Sequence, residues 1–189
     1  MKKASLALVL LLALVLTLVV GCGGNDEPTS SSLPPGERAE TSSDYVGLWH
    51  ASPVVGSGFS ERLELNANGT FYWAENEMDG VSRERFSSGT WSINNGVLTL
   101  SVTEKLAWEG GALEFSPIYG SDVLVNTTLA LVEEPGTLSY QISTIATDPE
   151  VFDKRTFTAN GTQYWELGEG PNSLSKEYED ARAKTQQSA

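Results

Sequence analysis

The sequence predicts an all-β domain, an antiparallel up-and-down β-barrel of about eight to ten strands, with a β-sandwich as the alternative. Three observations predict it. Apolar residues recur at every second position through residues 44–168, tight-turn signals punctuate these runs, and no helix-period stretch of useful length lies between them. Hairpin following hairpin without long crossovers favours a meander that curls round, because closure removes the exposed edges of so large a sheet.

The chain begins with a leader. Met1-Lys2-Lys3 is a cationic start, and Leu6 to Val20 is an apolar run broken only by Thr17, too short for a comfortable membrane span and suited to a signal peptide. Val19-Val20-Gly21-Cys22 follows, and small residues ahead of a Cys resemble the lipobox of bacterial lipoproteins. The resemblance implies removal of residues 1–21, diacylglyceryl and palmitate-type acylation of Cys22, membrane lipid as a partner, and a place in the cell envelope outside the cytoplasm. The alternative is an uncleaved anchor helix. Gly23 stands where an Asp would resemble an inner-membrane retention signal, which implies the outer membrane in a two-membrane bacterium and otherwise the outer face of the cell membrane. Two or three acyl chains exceed the single chain that binds only marginally, each buried methylene contributing about 0.8 kcal/mol.

Residues 22–43 comprise Cys22 and a run of Gly, Ser, Thr, Pro and charge with one large apolar residue, Leu33. Such a segment buries too little to offset its ordering entropy and reads as a flexible tether of about 25 Å mean reach. The body opens with Val46 to Ala51. Leu63 and Leu65 then alternate with Arg62, Glu64 and Asn66, and Phe71 and Trp73 continue after the turn Asn66-Ala67-Asn68-Gly69. Gly89 to Ile93 leads through Asn95-Gly96 into Val97 to Val102, where Leu98, Leu100 and Val102 share a face. Glu104 to Pro117 breaks the pattern at Gly110-Gly111 and reads as a longer loop or broken hairpin carrying Trp108 and Phe115. Further strands are expected over Val123 to Val132, Leu138 to Ala146, Val151 to Thr158 and Gln163 to Leu167. Residues 169–189 form a polar tail in which Leu174, Tyr178 and Ala181 could stripe a short helix, marginal in isolation.

Composition narrows the function. With 12 Lys and Arg against 25 Asp and Glu the formal charge is −13, and loss of residues 1–21 leaves ten basic and 25 acidic side chains. Clustered phosphate-neutralising cations are missing, so no nucleic-acid partner is expected. One Cys and one His supply neither a disulfide framework nor a zinc site. His50 is expected on the face opposite Trp49, idle in solvent. No Gly-x-Ser-x-Gly elbow exists, and Glu75-Asn76-Glu77-Met78-Asp79-Gly80 fails as a calcium loop because Phe86 stands where a bidentate Glu is needed. Neither an enzyme nor a cofactor or metal protein is expected.

Gly47-Leu48-Trp49 resembles the G-x-W signature of lipocalins. Leu63 to Phe71, Gly89 to Ile93 and Leu98-Thr99-Leu100 are similar, in order, to the hairpins of bacterial lipocalin-like domains on secreted lipoproteins. The T-D-Y motif of typical lipocalins is absent. The resemblance implies that Trp49 packs across a closed barrel end, with Arg155 as its candidate partner, and that the domain is a non-enzymatic module holding a small apolar or amphiphilic ligand. Trp73, Trp91, Trp108, Tyr140 and Trp165 are the candidate lining residues, equally suited to filling a core. The rival is a filled barrel that docks an envelope protein as an assembly or inhibitor subunit. Ala67 to Trp73 recurs as Ala159 to Trp165 with six of seven positions identical, read either as twin hairpins lining one cavity or, in preference, as convergent turn chemistry.

Overall fold

The computed structural model describes residues 41–53, 60–167 and 173–187. The leader, Cys22 and the tether up to residue 40 lie outside the described residues. Ser42 and Ser43, which the sequence assigns to the tether, instead open a 3-10 turn over Ser42–Tyr45. Tyr45 draws the turn inward: its ring is buried and its hydroxyl donates to the Ser143 carbonyl at 2.9 Å.

Ten strands follow: β1 (Gly47–His50), β2 (Arg62–Leu65), β3 (Thr70–Ala74), β4 (Glu84–Asn94), β5 (Val97–Ser116), β6 (Ser121–Val132), β7 (Gly136–Gln141), β8 (Ala146–Asp148), β9 (Lys154–Ala159) and β10 (Thr162–Glu166), then helix α1 (Leu174–Gln187). All pair antiparallel. The ladder runs β6-β5-β4-β3-β2-β1-β10-β9-β8, and β7 pairs with the first half of β5. Asn95-Gly96 and Asn160-Gly161 have positive φ at both positions, the geometry of tight two-residue hairpins.

The expected barrel closure is not reached. Between β7 and β9 the wall is joined by one bridge, Ile142 to Ala159, and by backbone bonds from Asn160 N to Gln141 O and from Ser143 N to Thr158 O, each 3.0 Å. Side chains explain the missing ladder. The Asn160 amide oxygen accepts from Gln141 N at 2.8 Å and the Ser143 hydroxyl from Thr158 N at 2.9 Å, taking amides that a strand partner would otherwise bind. The sandwich alternative also fails, since one continuous sheet carries all ten strands.

Two expected boundaries are corrected. Glu104 to Pro117 is no loop: β5 continues to Ser116 and pairs with β6 throughout. Gly110-Gly111 is absorbed as a kink, with positive φ at both glycines and at Asn126 across the ribbon. A Cβ on Gly111 would stand 2.1 Å from the Val125 carbonyl oxygen, so only glycine fits. The strand expected from Val151 begins at Lys154, because Pro149–Val151 forms a 3-10 turn and Phe152 and Asp153 take left-handed φ.

Both faces of the sheet are buried in part. The concave face packs Trp49, Leu65, Phe71, Leu98, Leu100 and Phe157 into one core. On the convex face Ala74, Phe86 and Leu106 form a second core with Leu174 and Tyr178 of α1. Polar pins complete the helix seat: Ser175 N donates to the Glu64 carboxylate at 2.6 Å, the favourable end of the helix dipole for an anion, and the Tyr178 hydroxyl donates to Glu104 at 2.6 Å. A helix this polar forms because of this packing. Residues 39–189 make one compact unit that contains both cores and so folds on its own.

Gly89 marks the tightest approach in the sheet. A Cβ there would lie 2.0 Å from the Ser101 carbonyl oxygen and 3.0 Å from the Phe71 ring. Gly89→Ala is expected to lower unfolding free energy by roughly 2 kcal/mol or more, as overpacking of backbone does. Urea denaturation of residues 39–189 checks this, and an unchanged midpoint would refute the close contact.

Candidate functional site

Among the described residues the concave face encloses little free space. Leu63, Trp73, Leu98, Leu100, Tyr140 and Tyr164 surround a cavity of about 10 Å³, room for about one water. Aromatic rings fill the rest: Trp73 meets Tyr140 edge-on at 6.4 Å, Phe157 stacks on Tyr164 at 5.5 Å, and Tyr45 meets Phe157 edge-on at 5.4 Å.

The five aromatic candidates therefore separate. Trp73 and Tyr140 line this cavity. Trp91 packs against the same core, its indole nitrogen donating to the Asn66 carbonyl at 2.9 Å. Trp165 points the other way, because its register partners His50 and Thr156 lie on the convex face, and it donates to Asp148 at 2.9 Å. Trp108 lines an outer groove. The Ala67 to Trp73 echo is thus not a pair of twin walls. Trp73 faces inward and Trp165 outward, and a four-residue turn at Asn66–Gly69 corresponds to a two-residue turn at Asn160-Gly161.

Trp49 is fully buried where the 3-10 turn meets the sheet. Its indole nitrogen donates to the Tyr45 carbonyl at 2.8 Å, its ring meets Phe157 edge-on at 4.8 Å, and the Arg155 guanidinium lies 5.5 Å over its face. Arg155 is fixed by Glu166 at 2.9 Å and by the Asp44 carbonyl.

Carboxylates gather towards the other end. The Tyr164 hydroxyl donates to Glu61, and burial followed by the Glu61 charge raises its pKa far above the ordinary tyrosine value. Burial and then the charges of Glu61 and Glu84 also hold the Glu75 carboxyl above its usual range. Glu84 accepts from the Ser87 hydroxyl and pairs with Lys105 at 3.0 Å. Ser87 is buried with the Glu84 carboxylate as its partner. Among the described residues no group of three or more His, Cys, Asp or Glu is arranged to hold a metal ion. In the acidic run, Glu77 binds Arg62 at 3.1 Å and also pairs with Arg85, while Asn76 and Asp79 accept from nearby backbone amides.

His50 departs from expectation. It does alternate with Trp49 and face outward, but that side of β1 is covered: the ring is 0% exposed, flanked in register by Arg62 and Trp165, and neither nitrogen has a hydrogen-bond partner among the described residues. Burial, then the charges of Lys154 and Arg62, lower its pKa to about 4.

Away from the two cores lie two features that the sequence reading missed. A groove of about 540 Å³ runs between α1 and the feet of β5 and β6, with Phe86, Trp108, Leu129 and Ala181 for a floor and Arg85, Glu177, Asp180 and Lys184 around it. Beyond that groove the outer halves of β5 and β6 project as a two-stranded ribbon. Leu113, Phe115, Ile118 and Tyr119 near its tip are 54%, 66%, 86% and 72% exposed. Alternation of Leu113 and Phe115 with Ala112 and Glu114 was the available signal for a strand past Gly111.

Residues 39–118, from the 3-10 turn through β5 and just past it, match the family model described as a lipocalin-like domain. No curated protein and no solved structure matches the chain. With ten mostly sequential antiparallel strands, the architecture is a lipocalin-like β fold whose sheet stays open.

Because His50 is neutral in the fold, the unfolded chain takes up its proton first as pH falls below 6.5, and stability drops until about pH 4. His50→Phe removes this term without breaking a hydrogen bond. Relative to the parent, its stability should be level or better at pH 7 and should gain on the order of a few kcal/mol between pH 6.5 and 4. A pH-independent difference in denaturation midpoint would contradict a neutral buried imidazole.

Proposed function

We propose that this protein is a lipid-anchored, extracytoplasmic, non-enzymatic module that works from its outer surface by docking another protein of the cell envelope. The cavity of about 10 Å³ carries this reading. Drug-sized or lipid ligands occupy roughly 300–1,000 Å³, so the lipocalin-like bore is spent on its own aromatic rings. The match over residues 39–118 suggests a ligand-binding ancestry for the fold, and the filled core turns the preference from a bore ligand to the docking rival named by the sequence. The lipobox-like Val19 to Cys22 supports the anchor, and acylated Cys22 makes membrane lipid the first partner. No cofactor enters this reading.

Two measurements test it. Native mass spectrometry of residues 39–189 should show the apoprotein mass alone, and a fluorescent fatty acid should give no saturable binding. A stoichiometric lipid released by Leu100→Trp, which would overfill the bore, refutes the docking reading. For the anchor, cells fed labelled palmitate should label the full chain, whereas Cys22→Ser should lose the label and release the body into the soluble fraction. Equal labelling of both would sink the lipobox assignment.

A further inference from the structure

We propose that β6 takes on a further strand, an extended segment of a partner protein that pairs antiparallel along its outer edge over residues 127–132. The inference rests on the outer-surface reading above and names the mode and chemistry of docking.

The edge is a row of unused backbone groups. β6 ends the strand order, and among the described residues no backbone bond from another segment reaches 127–132. Alternate residues of an antiparallel strand turn both N–H and C=O to the same side, so about three of these six offer a donor and an acceptor outward. A second extended chain complements such a row along its whole length, which a lipid surface or a small ligand does not.

Neighbouring edges carry the protection that this one lacks. Native sheets blunt their edges with charge, Pro, kinks or brevity. β8 is three residues long and runs into Pro149. The outer part of β5 carries Glu114, and in the outer part of β6, before the Asn126 kink, Leu124 N is taken by Gly80 O at 2.8 Å. Thr127-Thr128-Leu129-Ala130-Leu131-Val132 has no charge, no Pro and no Gly, and its register against β5 runs unshifted from Thr127 on Gly110 to Val132 on Lys105. That ladder, with Leu129 and Leu131 packed against the α1 core, holds the strand in place, so little further ordering is needed when it binds.

Charge selects the occupant. Glu133 and Glu134 follow the strand, both exposed, and no Lys, Arg or His occurs between Lys105 and Lys154. Lys105 itself is engaged by Glu84 and Glu134 at 3.0 and 3.4 Å, while Glu133 forms no ion pair among the described residues. An antiparallel newcomer sets its N-terminal end against this acidic corner. The fitting segment therefore has Lys or Arg there, followed by about six uncharged β-formers that match Thr, Leu and Val across the pair. A second copy fits less well, because the end of its β6 that would meet Glu133 carries Asp122 and no base, and two bodies with an excess of acids repel.

Two acetylated, amidated peptides of opposite alternation, KKTVTITV and KKYTVTVT, test this on residues 39–189. Calorimetric titration should show saturable binding of at least one, and hydrogen exchange read by NMR should show the amides of 127–132 gaining protection. Methylating alternate peptide nitrogens should weaken binding about tenfold or more in one phase and far less in the other, since one set alone faces β6. Replacing KK by EE should weaken it about fivefold at low salt, a gap that closes as salt rises, and Glu133→Lys, its folding verified by circular dichroism, should reverse the preference. No saturable binding by either peptide, equal loss in both methylation phases, protection elsewhere on the sheet, or indifference to Glu133→Lys overturns the proposal and leaves the outer-surface reading in place. A dimer of the peptide-free body in sedimentation equilibrium, with 127–132 protected in it, gives the edge to a second copy and overturns it too. Lipid found in the bore would instead refute the reading on which it rests.

Discussion

Trp49 ties together the parts of the chain that meet last. Its strand is paired on one side by β2 and on the other by β10, more than a hundred residues onward, and its ring is wedged between Phe157 of β9 and the Arg155 guanidinium. Long-range pairing of this kind must overcome chain entropy before it gains contact energy. A large ring with an edge-on aromatic neighbour, a cation over its face and a satisfied indole nitrogen concentrates that gain at one point. The 3-10 turn contributes from the N-terminal side, since the Tyr45 and Asp44 carbonyls accept the Trp49 and Arg155 protons.

From that end the sheet grows in two directions and fills its own interior. Alternation delivers Leu63, Leu65, Phe71, Leu98, Leu100 and Val102 to one side, and among the described residues the aromatic rings enclose a water-sized gap. On the other side α1 covers Phe86 and Leu106 where β4 and β5 would otherwise present apolar surface to water. Arg62 sits at the rim of that cover, held by Glu177 of the helix and Glu77 of the β3–β4 loop. Aromatic side chains that could have lined a ligand site are used for packing, while Leu113, Phe115, Ile118 and Tyr119 of the ribbon stay exposed.

Strand identity and the two Asn-Gly hairpins were legible because period-two alternation and positive-φ residues are local signals. Nothing local joins Trp49 to Arg155, and their pairing was suggested only by the resemblance around Gly47-Leu48-Trp49; in the structure the guanidinium lies 5.5 Å over the indole. Three features were hidden for physical reasons. Gly110-Gly111 looks like a break, yet Asn126 opposite adopts the same sign of φ and lets the ladder continue. His50 alternates as a solvent-facing residue should, but alternation assigns a face without saying whether another element covers it. Closure was over-read because two side chains, from Ser143 and Asn160, compete for amides that the pattern assigns to a strand. Trp165 was placed among the lining candidates as a large aromatic residue, but its register beside His50 and Thr156 turns it to the convex face.

The single bridge between β7 and β9 gives the wall a weak line. Ladders elsewhere share load over four to eleven register pairs in β2–β3, β4–β5 and β5–β6, whereas parting Ile142 from Ala159 breaks few bonds. Local opening is expected to concentrate along that line, where few backbone bonds hold the two strands together. The sheet behaves as a rolled leaf with one loosely pinned margin, rigid round its Trp49 hub and compliant where Tyr140 and Ile142 hold the overlap.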